Sequence, residues 1–197
     1  MKLYTKKGDT GKTFLARYPK KLEKSNEVFN LLGDLDALNC MLSLARATIN
    51  EVDLNDLIKA VQGLLFCLGS EINLGLKVSP ECMINNHEIE VLENLIDYFQ
   101  QKTGELRNFI VPGVSIAGSY IHMARALTRQ AERKAVGLRK KLGIRKEVLA
   151  FLNRLSDFLF ALGRYVDKVC LGKEDLIWRQ EDAKKNFFKV CDSILKG

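Results

Sequence analysis

The chain begins with a run of residues suited to holding a polyanion. Gly8-Asp9-Thr10-Gly11-Lys12-Thr13 follows Tyr4-Thr5-Lys6-Lys7. Two glycines allow a turn whose backbone N–H groups converge, and the hydroxyls of Thr5, Thr10 and Thr13 add donors. The ammonium groups of Lys6 and Lys7 add charge, so the segment has the chemistry to wrap a polyphosphate. It is close to the phosphate loop G-x-x-x-x-G-K-[ST] but is not one. Lys6 stands where the first glycine belongs, and no apolar strand of a βαβ unit precedes it. Taken alone, the motif fits a solvated basic tail as well as a phosphate-binding arm.

The remaining reactive side chains argue against several chemistries. His87 and His122 have no second His, Cys or carboxylate at metal-ligand spacing. Ser-His-Asp and Cys-His arrangements are missing, and no local carboxylate pair calls for acid–base work. The five cysteines (Cys40, Cys67, Cys82, Cys170, Cys191) form no C-x-x-C pair. They read as reduced thiols of a cytoplasmic protein without a zinc site.

Charge is unevenly spread. Residues 1–24 hold eight Lys/Arg against Asp9 and Glu23, a net of +6, and residues 125–146 hold nine against Glu132, a net of +8. The whole chain is +7, so the remainder is acidic. Two basic blocks on an acidic background point to an anionic ligand, phosphate above all. Aromatics do not interleave either block, which weakens a single-stranded nucleic-acid platform.

These residues need a scaffold, and the patterning describes a helical one. The 197 residues suit one domain with a sizeable core, and three prolines (Pro19, Pro80, Pro112) are few enough for long helices. Apolar residues recur at spacings of three and four over Val28–Ala45, Leu54–Ile72, Ile89–Phe99, Ile116–Leu138 and Val148–Val169. A weaker sixth pattern runs from Glu174 towards Ile194. Breakers separate them: Gly75 with Pro80, Gly104 with Pro112-Gly113, Gly143, and Gly172. No strand-like alternation extends beyond Leu3–Thr5. The expected fold is an all-α, up-and-down five-helix bundle, a single domain over 1–197. It has a basic N-terminal arm (1–24) and a C-terminal helical extension (173–197). No uninterrupted apolar run approaches the roughly 20 residues of a membrane span, and no membrane or nucleic-acid partner is expected.

Two helix faces lie opposite their apolar stripes. The fourth pattern, with Ile116, Tyr120, Met123, Leu127, Ala131 and Leu138 inward, turns Gly118, His122, Arg125, Arg129, Glu132 and Arg133 to the other side. The fifth does the same with Asn153, Asp157, Phe160 and Arg164. Such rows fit a packed polar surface, either a subunit interface or a site, as well as an exposed face of internal salt bridges.

Five stretches, in order, carry a resemblance. Tyr4–Thr13 resembles the opening Y-T-[RK]-x-G-D-x-G-x-[TS] of the propanediol-utilisation type of ATP:cob(I)alamin adenosyltransferase. Gly33-Asp34-Leu35-Asp36-Ala37-Leu38-Asn39 is similar to its G-x-x-D-E-L-N, and Phe109-Ile110-Val111-Pro112-Gly113 to F-[IV]-L-P-G. Arg125–Arg133 resembles R-x-x-x-R-R-A-E-R, and Phe151–Phe160 resembles [YF]-L-N-R-L-S-D-[YF]-L-F.

The resemblance implies a trimer of five-helix bundles with active sites between subunits. It implies transfer of the 5′-deoxyadenosyl group of ATP to cob(I)alamin or cob(I)yrinic acid a,c-diamide, with release of triphosphate. Cobalt(I) is the nucleophile, so a protein nucleophile is not needed. By position, Thr5, Lys6, Lys7, Gly8, Asp9, Thr13 and Lys24 would line the phosphates. Arg129, Gln130, Glu132, Arg133 and Asn153 would complete the nucleotide site, with Glu132 near Mg2+. Asp36 and Arg125 match an intersubunit salt bridge. Phe109 matches the ring that occupies the lower corrin face and displaces the axial ligand. A reductase and an adenosylcobalamin-dependent acceptor enzyme are the implied partners.

The chain departs from the pattern at Gln130, where the family has a second arginine, at Val114 for a glycine, and at Ala37 for a glutamate. The tail around Trp178–Phe188 has no matching family motif. These departures keep a non-catalytic ATP- or corrinoid-binding paralogue in view beside the active transferase. A basic helical nucleic-acid binder rests on charge alone.

Overall fold

The computed structural model describes Tyr4, Lys6 and residues 8–195. Expectations that fall on Leu3, Thr5 and Lys7 lie outside the described residues. Six α-helices follow the sequence patterns: α1 (Glu27–Ala47), α2 (Val52–Leu74), α3 (Asn86–Thr103), α4 (Ile116–Leu142), α5 (Lys146–Tyr165) and α6 (Gln180–Leu195). A π-helical turn, Val166–Cys170, prolongs α5. The arm adds an antiparallel pair that alternation did not announce, β1 (Lys12–Thr13) with β2 (Leu22–Glu23). Two-residue strands are too short to show a period.

Local chemistry sets the helix ends. The Asn26 side chain accepts the Val28 N–H at the start of α1. Asn85 and Glu88 form a reciprocal capping box on α3, and Ser115 accepts the Gly118 N–H on α4. Gly143 closes α4 in the left-handed conformation, φ 59°, where a side chain is strained.

The helices pack in the order α2–α1–α4–α5–α3. Leu31, Leu38 and Leu42 of α1, Ile58 and Leu68 of α2, Ile121 of α4, and Phe151 and Phe158 of α5 are fully buried. Truncating one of these phenylalanines costs about 3–5 kcal/mol. Aromatic contacts fasten α3 to α5, with Phe99 4.7 Å from Tyr165 and 6.1 Å from Phe158. α1 and α2 have the length and mean hydropathy of membrane spans. Leu31, Leu35, Leu38 and Leu42 of α1 and Leu54, Leu65 and Leu68 of α2 instead face the shared core.

The buried face of α4 corrects the expectation. Ala117, Ile121, Ala124, Thr128, Ala131, Ala135 and Leu138 are inward, whereas Ile116 and Met123 are exposed. The central helix is flanked by α1 and α5, and small side chains let both approach. Bulky residues at its margins attract attention in the sequence, while alanines do not. Gly118 and His122, expected on the outer face, are therefore buried. Arg164 of α5, also expected outside, is buried against Asp175.

Candidate active site

The arm is fastened at one end of the bundle. Leu15 is fully buried. Arg17 donates to the Leu142 carbonyl and, at 2.9 Å, to the Glu71 carbonyl, while its own N–H reaches Asn73. The Glu71 carboxylate is held in turn by a two-pronged contact from Arg145, at 2.7 and 3.0 Å. Beyond this anchor the chain turns back on itself. The Lys24 N–H donates to the Gly11 carbonyl, and Lys12 pairs with Glu23 at 3.2 Å. The Lys24 ammonium lies against Gly8, where an added Cβ would sit 3.3 Å from it. Gly8, Thr13 and Lys24, distant in sequence, therefore share one small loop. Lys6 is exposed with φ 57°, its ammonium 5.9 Å from the Tyr4 ring centroid. Asp9 is exposed.

The second group runs along α4 and α5. Arg125, Arg129 and Arg133 recur at a spacing of four, and none has an acidic partner among the described residues. Arg125 is half-buried with its Nε unpartnered. Its pKa is depressed by burial and then by repulsion from Arg129. Across the groove the Asn153 amide donates to the Glu132 carboxylate at 3.1 Å. Arg125 and Arg129 face a cleft of about 350 Å³ shared with Arg154, Ser156, Asp157 and Phe160. Here Arg154 is neutralised by Glu93 and Asp157, at 2.9 and 2.8 Å. A cationic row without an ion-pair partner, beside a polar cleft, has the chemistry to take an anion.

Within one chain the two groups stay apart. Among the described residues, none of Lys6, Gly8, Asp9, Thr13 or Lys24 bonds to Arg129, Glu132, Arg133 or Asn153. Asp36 does not meet Arg125 either. It is exposed at the rim of a separate cleft with Asn39 and the exposed ring of Phe66. Gln130 turns inward, its amide donating to Asp34 Oδ1 at 2.9 Å.

Phe109 projects from the loop before α4 and is 79% exposed. Pro112 and Gly113 end its segment. Gly113 adopts φ 99°, and a Cβ there would lie 2.8 Å from Ser119 Oγ. Behind this loop His122 and Asp167 are buried, and His122 Nδ1 and Asp167 Oδ1 have no hydrogen-bond partner.

The family model described as cobalamin adenosyltransferase matches residues 3–166. The chain belongs to the cobalamin adenosyltransferase family. It is 36% identical over 171 residues to a corrinoid adenosyltransferase of Bacillus subtilis, covering 85% of this chain and 87% of that protein. It is 33% identical over 165 residues to one of Citrobacter freundii, covering 83% and 93%. A variant of a PduO-type ATP:corrinoid adenosyltransferase from Lactobacillus reuteri, complexed with cobalamin and ATP, superposes with TM-score 0.82 at 31% identity. That alignment covers 91% of this chain and all of the other.

The family match ends at residue 166, before several groups that the sequence did not single out for the site. Asp167, Asp175 and Trp178 all approach the Phe109 loop or its supports. The signal available for Trp178 was the short β-prone triplet Leu176-Ile177-Trp178 among polar neighbours.

Proposed function

We propose that this chain transfers the 5′-deoxyadenosyl group of ATP to cob(I)alamin. The observation that carries the reading is the row Arg125, Arg129 and Arg133. Among the described residues none of the three has an ion-pair partner, and the row lies beside the Glu132–Asn153 pair. Membership of the cobalamin adenosyltransferase family supports a triphosphate as the anion of that row.

The chemistry asks little covalent work of the protein. The cobalt(I) lone pair attacks the 5′ carbon, a cobalt–carbon bond forms, and the C5′–O bond breaks. The electron pair leaves with the triphosphate, and no proton moves. The chain supplies position and charge. Arg129 and Arg133, with Lys6, Lys7, Lys24, Thr5, Thr13 and the Gly8 loop, bind the leaving triphosphate. Asn153 holds Glu132 in place. Glu132 would hold Mg2+ through its single carboxylate. Among the described residues no cluster of three or more His, Cys, Asp or Glu offers a fuller cage. Mg2+ supplies neutralisation of phosphate charge when bound.

The separation of the arm from the α4–α5 groove within one chain supports a site shared between subunits of a homotrimer. Asp36, at an exposed rim with Phe66, would then pair with Arg125 of a neighbouring copy. Phe109 would press on the lower corrin face, excluding the axial ligand and easing reduction of cobalt(II) by a one-electron reductase. We place the enzyme in the cytoplasm, serving an adenosylcobalamin-dependent acceptor.

The deciding experiment follows the visible spectrum of cob(I)alamin mixed with the protein, ATP and Mg2+. Adenosylcobalamin and triphosphate appear in equal amounts if the reading holds. Tight binding of ATP and corrinoid without product would make the chain a carrier of the same fold.

A further inference from the structure

The Phe109 ring is 79% exposed. Its aromatic partner is Trp178, edge to face, with centroids 6.3 Å apart and planes at 80°. The two residues belong to a miniature antiparallel ladder. The Trp178 N–H donates to the Phe109 carbonyl at 2.8 Å, the Val111 N–H donates to the Leu176 carbonyl at 2.7 Å, and Ile110 pairs with Ile177 between them. This is the geometry by which one extended segment fixes the direction of side chains on another.

The ladder is anchored at its base by a buried cation. Arg164, 4% exposed, grips Asp175 with Nε at 3.2 Å and Nη2 at 2.8 Å, and its Nη1 donates to the Gly104 carbonyl at 3.4 Å. One guanidinium thus ties the last residue before Leu176 to the start of the loop that carries Phe109. Lys168 adds contacts to Glu174 and Asp175 at 3.3 and 3.6 Å, and the Lys173 N–H caps the Asp167 carbonyl at 2.8 Å. Burial opposes the Asp175 charge, but the Arg164 and Lys168 contacts outweigh it and keep the carboxyl below its ordinary range. None of Lys168, Asp175 or Trp178 lies in the stretch matched by the family model.

We propose that the segment 174–178, through Trp178, is the positioning element of the Phe109 ring, so that the C-terminal extension is part of the active site. The proposal rests on reading Phe109 as the ring against the corrin. A ring on an exposed loop samples several staggered rotamers, and each one away from the cobalt leaves room for an axial ligand. An aromatic edge fixed by two backbone hydrogen bonds selects one orientation before substrate arrives. Trp178 acts through Phe109 and is a positioning residue.

The test uses the full chain with ATP, Mg2+ and cob(II)alamin. It reads the four-coordinate fraction by electron paramagnetic resonance and visible absorption. It also takes the ratio of turnover from cob(II)alamin with reduced flavin to turnover from pre-formed cob(I)alamin. Trp178→Ala is expected to lower the four-coordinate fraction and the ratio roughly two- to tenfold, the value of one aromatic edge contact. Trp178→Phe is expected to recover most of both. Asp175→Asn, which leaves the aromatic pair and loosens its base, is expected to give the same pattern, so the proposal does not hang on one variant folding. Phe109→Ala is the reference. If Phe109→Ala abolishes the four-coordinate species while folded Trp178→Ala and Asp175→Asn keep the wild-type fraction and ratio, the positioning role is wrong. If Phe109→Ala changes neither, the reading of Phe109 falls first and the proposal with it.

Discussion

The Gln130 amide of α4 donates to Asp34 Oδ1 of α1 at 2.9 Å, while the Lys134 ammonium lies 2.7 Å from Oδ2. Asp34 is 8% exposed, with one oxygen hydrogen-bonded and the other in the ion pair. The position that departs from the family's second arginine is therefore occupied in helix packing. A guanidinium at 130 would meet Asp34 before any phosphate. Gln130→Arg is expected to change the ATP dissociation constant by no more than about twofold, well under 1 kcal/mol. Calorimetric titration with ATP and Mg2+ decides it, and a tenfold tightening would put residue 130 on the triphosphate.

Asn153 and Arg129 are exposed and contribute nothing to the core, so their loss is expected to appear in binding and not in folding. Asn153→Ala frees Glu132 from its 3.1 Å partner. Arg129→Ala removes one cation of the unpaired row. Each is expected to weaken ATP about ten- to a hundredfold, as loss of a charged hydrogen bond of about 1.5–3 kcal/mol implies. Melting temperatures stay at the wild-type value. Unchanged ATP affinity in both variants would remove the groove from the nucleotide site.

Much of this was readable in the residues and some was not, for physical reasons. The leucine stripes of α1 and α2 announce themselves because bulky apolar residues there do the burying. On α4 the same reasoning points to Met123 and Ile116, which are exposed, since alanines fill the inward face. That one rotation of the helix hides His122 and Gly118. Arg164 was misplaced because its partner, Asp175, lies eleven residues on, beyond any helical spacing. Gln130 pairs with a residue 96 positions away. Local motifs therefore mark Arg125–Arg133 and Phe109 as candidates, whereas contacts made across helices decide which neighbours are available to a ligand.

Among the described residues, Asp36 and Arg125 have no hydrogen-bond or ion-pair partner in their own chain, and the Arg125 Nε is buried and unpaired. An unpaired buried charge is costly, so pairing across subunits should stabilise the assembly. Asp36→Asn and Arg125→Asp are each expected to promote dissociation and to harm corrinoid use more than ATP affinity. The charge-swapped double variant, Asp36→Arg with Arg125→Asp, should regain part of both losses. Sedimentation equilibrium of the four proteins measures the coupling. Strictly additive losses would mean that the two residues never meet.

His122 sets a pH dependence whose sign follows from its surroundings. The ring is 6% exposed, lies edge to face with Phe160 at 5.7 Å, and has Nδ1 unpartnered. A Cβ at Gly163 of α5 would come 3.0 Å from Nε2, so the ring packs closely against that glycine. Burial, then repulsion from Arg125, pushes its pKa down to about 4, against a weaker pull from Asp175. The folded ring is thus neutral where the unfolded one, near 6.5, already takes up a proton. Between these values the unfolded chain binds more protons, so stability rises with pH. The stabilisation is complete above about 6.5 and is lost as pH falls towards 4. The site contributes up to about 1.4 kcal/mol per pH unit inside the window, or about 3–6 °C of melting temperature per unit at this chain length. Asp167 works in the opposite sense. Burial raises its carboxyl pKa, so the folded state keeps that proton to higher pH than the unfolded chain does. The comparison that isolates His122 is therefore wild type against His122→Leu, melted at half-unit steps from pH 7 to 4.5. The wild-type curve should fall more steeply by the stated amount, and parallel curves would show that the imidazole titrates as freely in the fold as outside it.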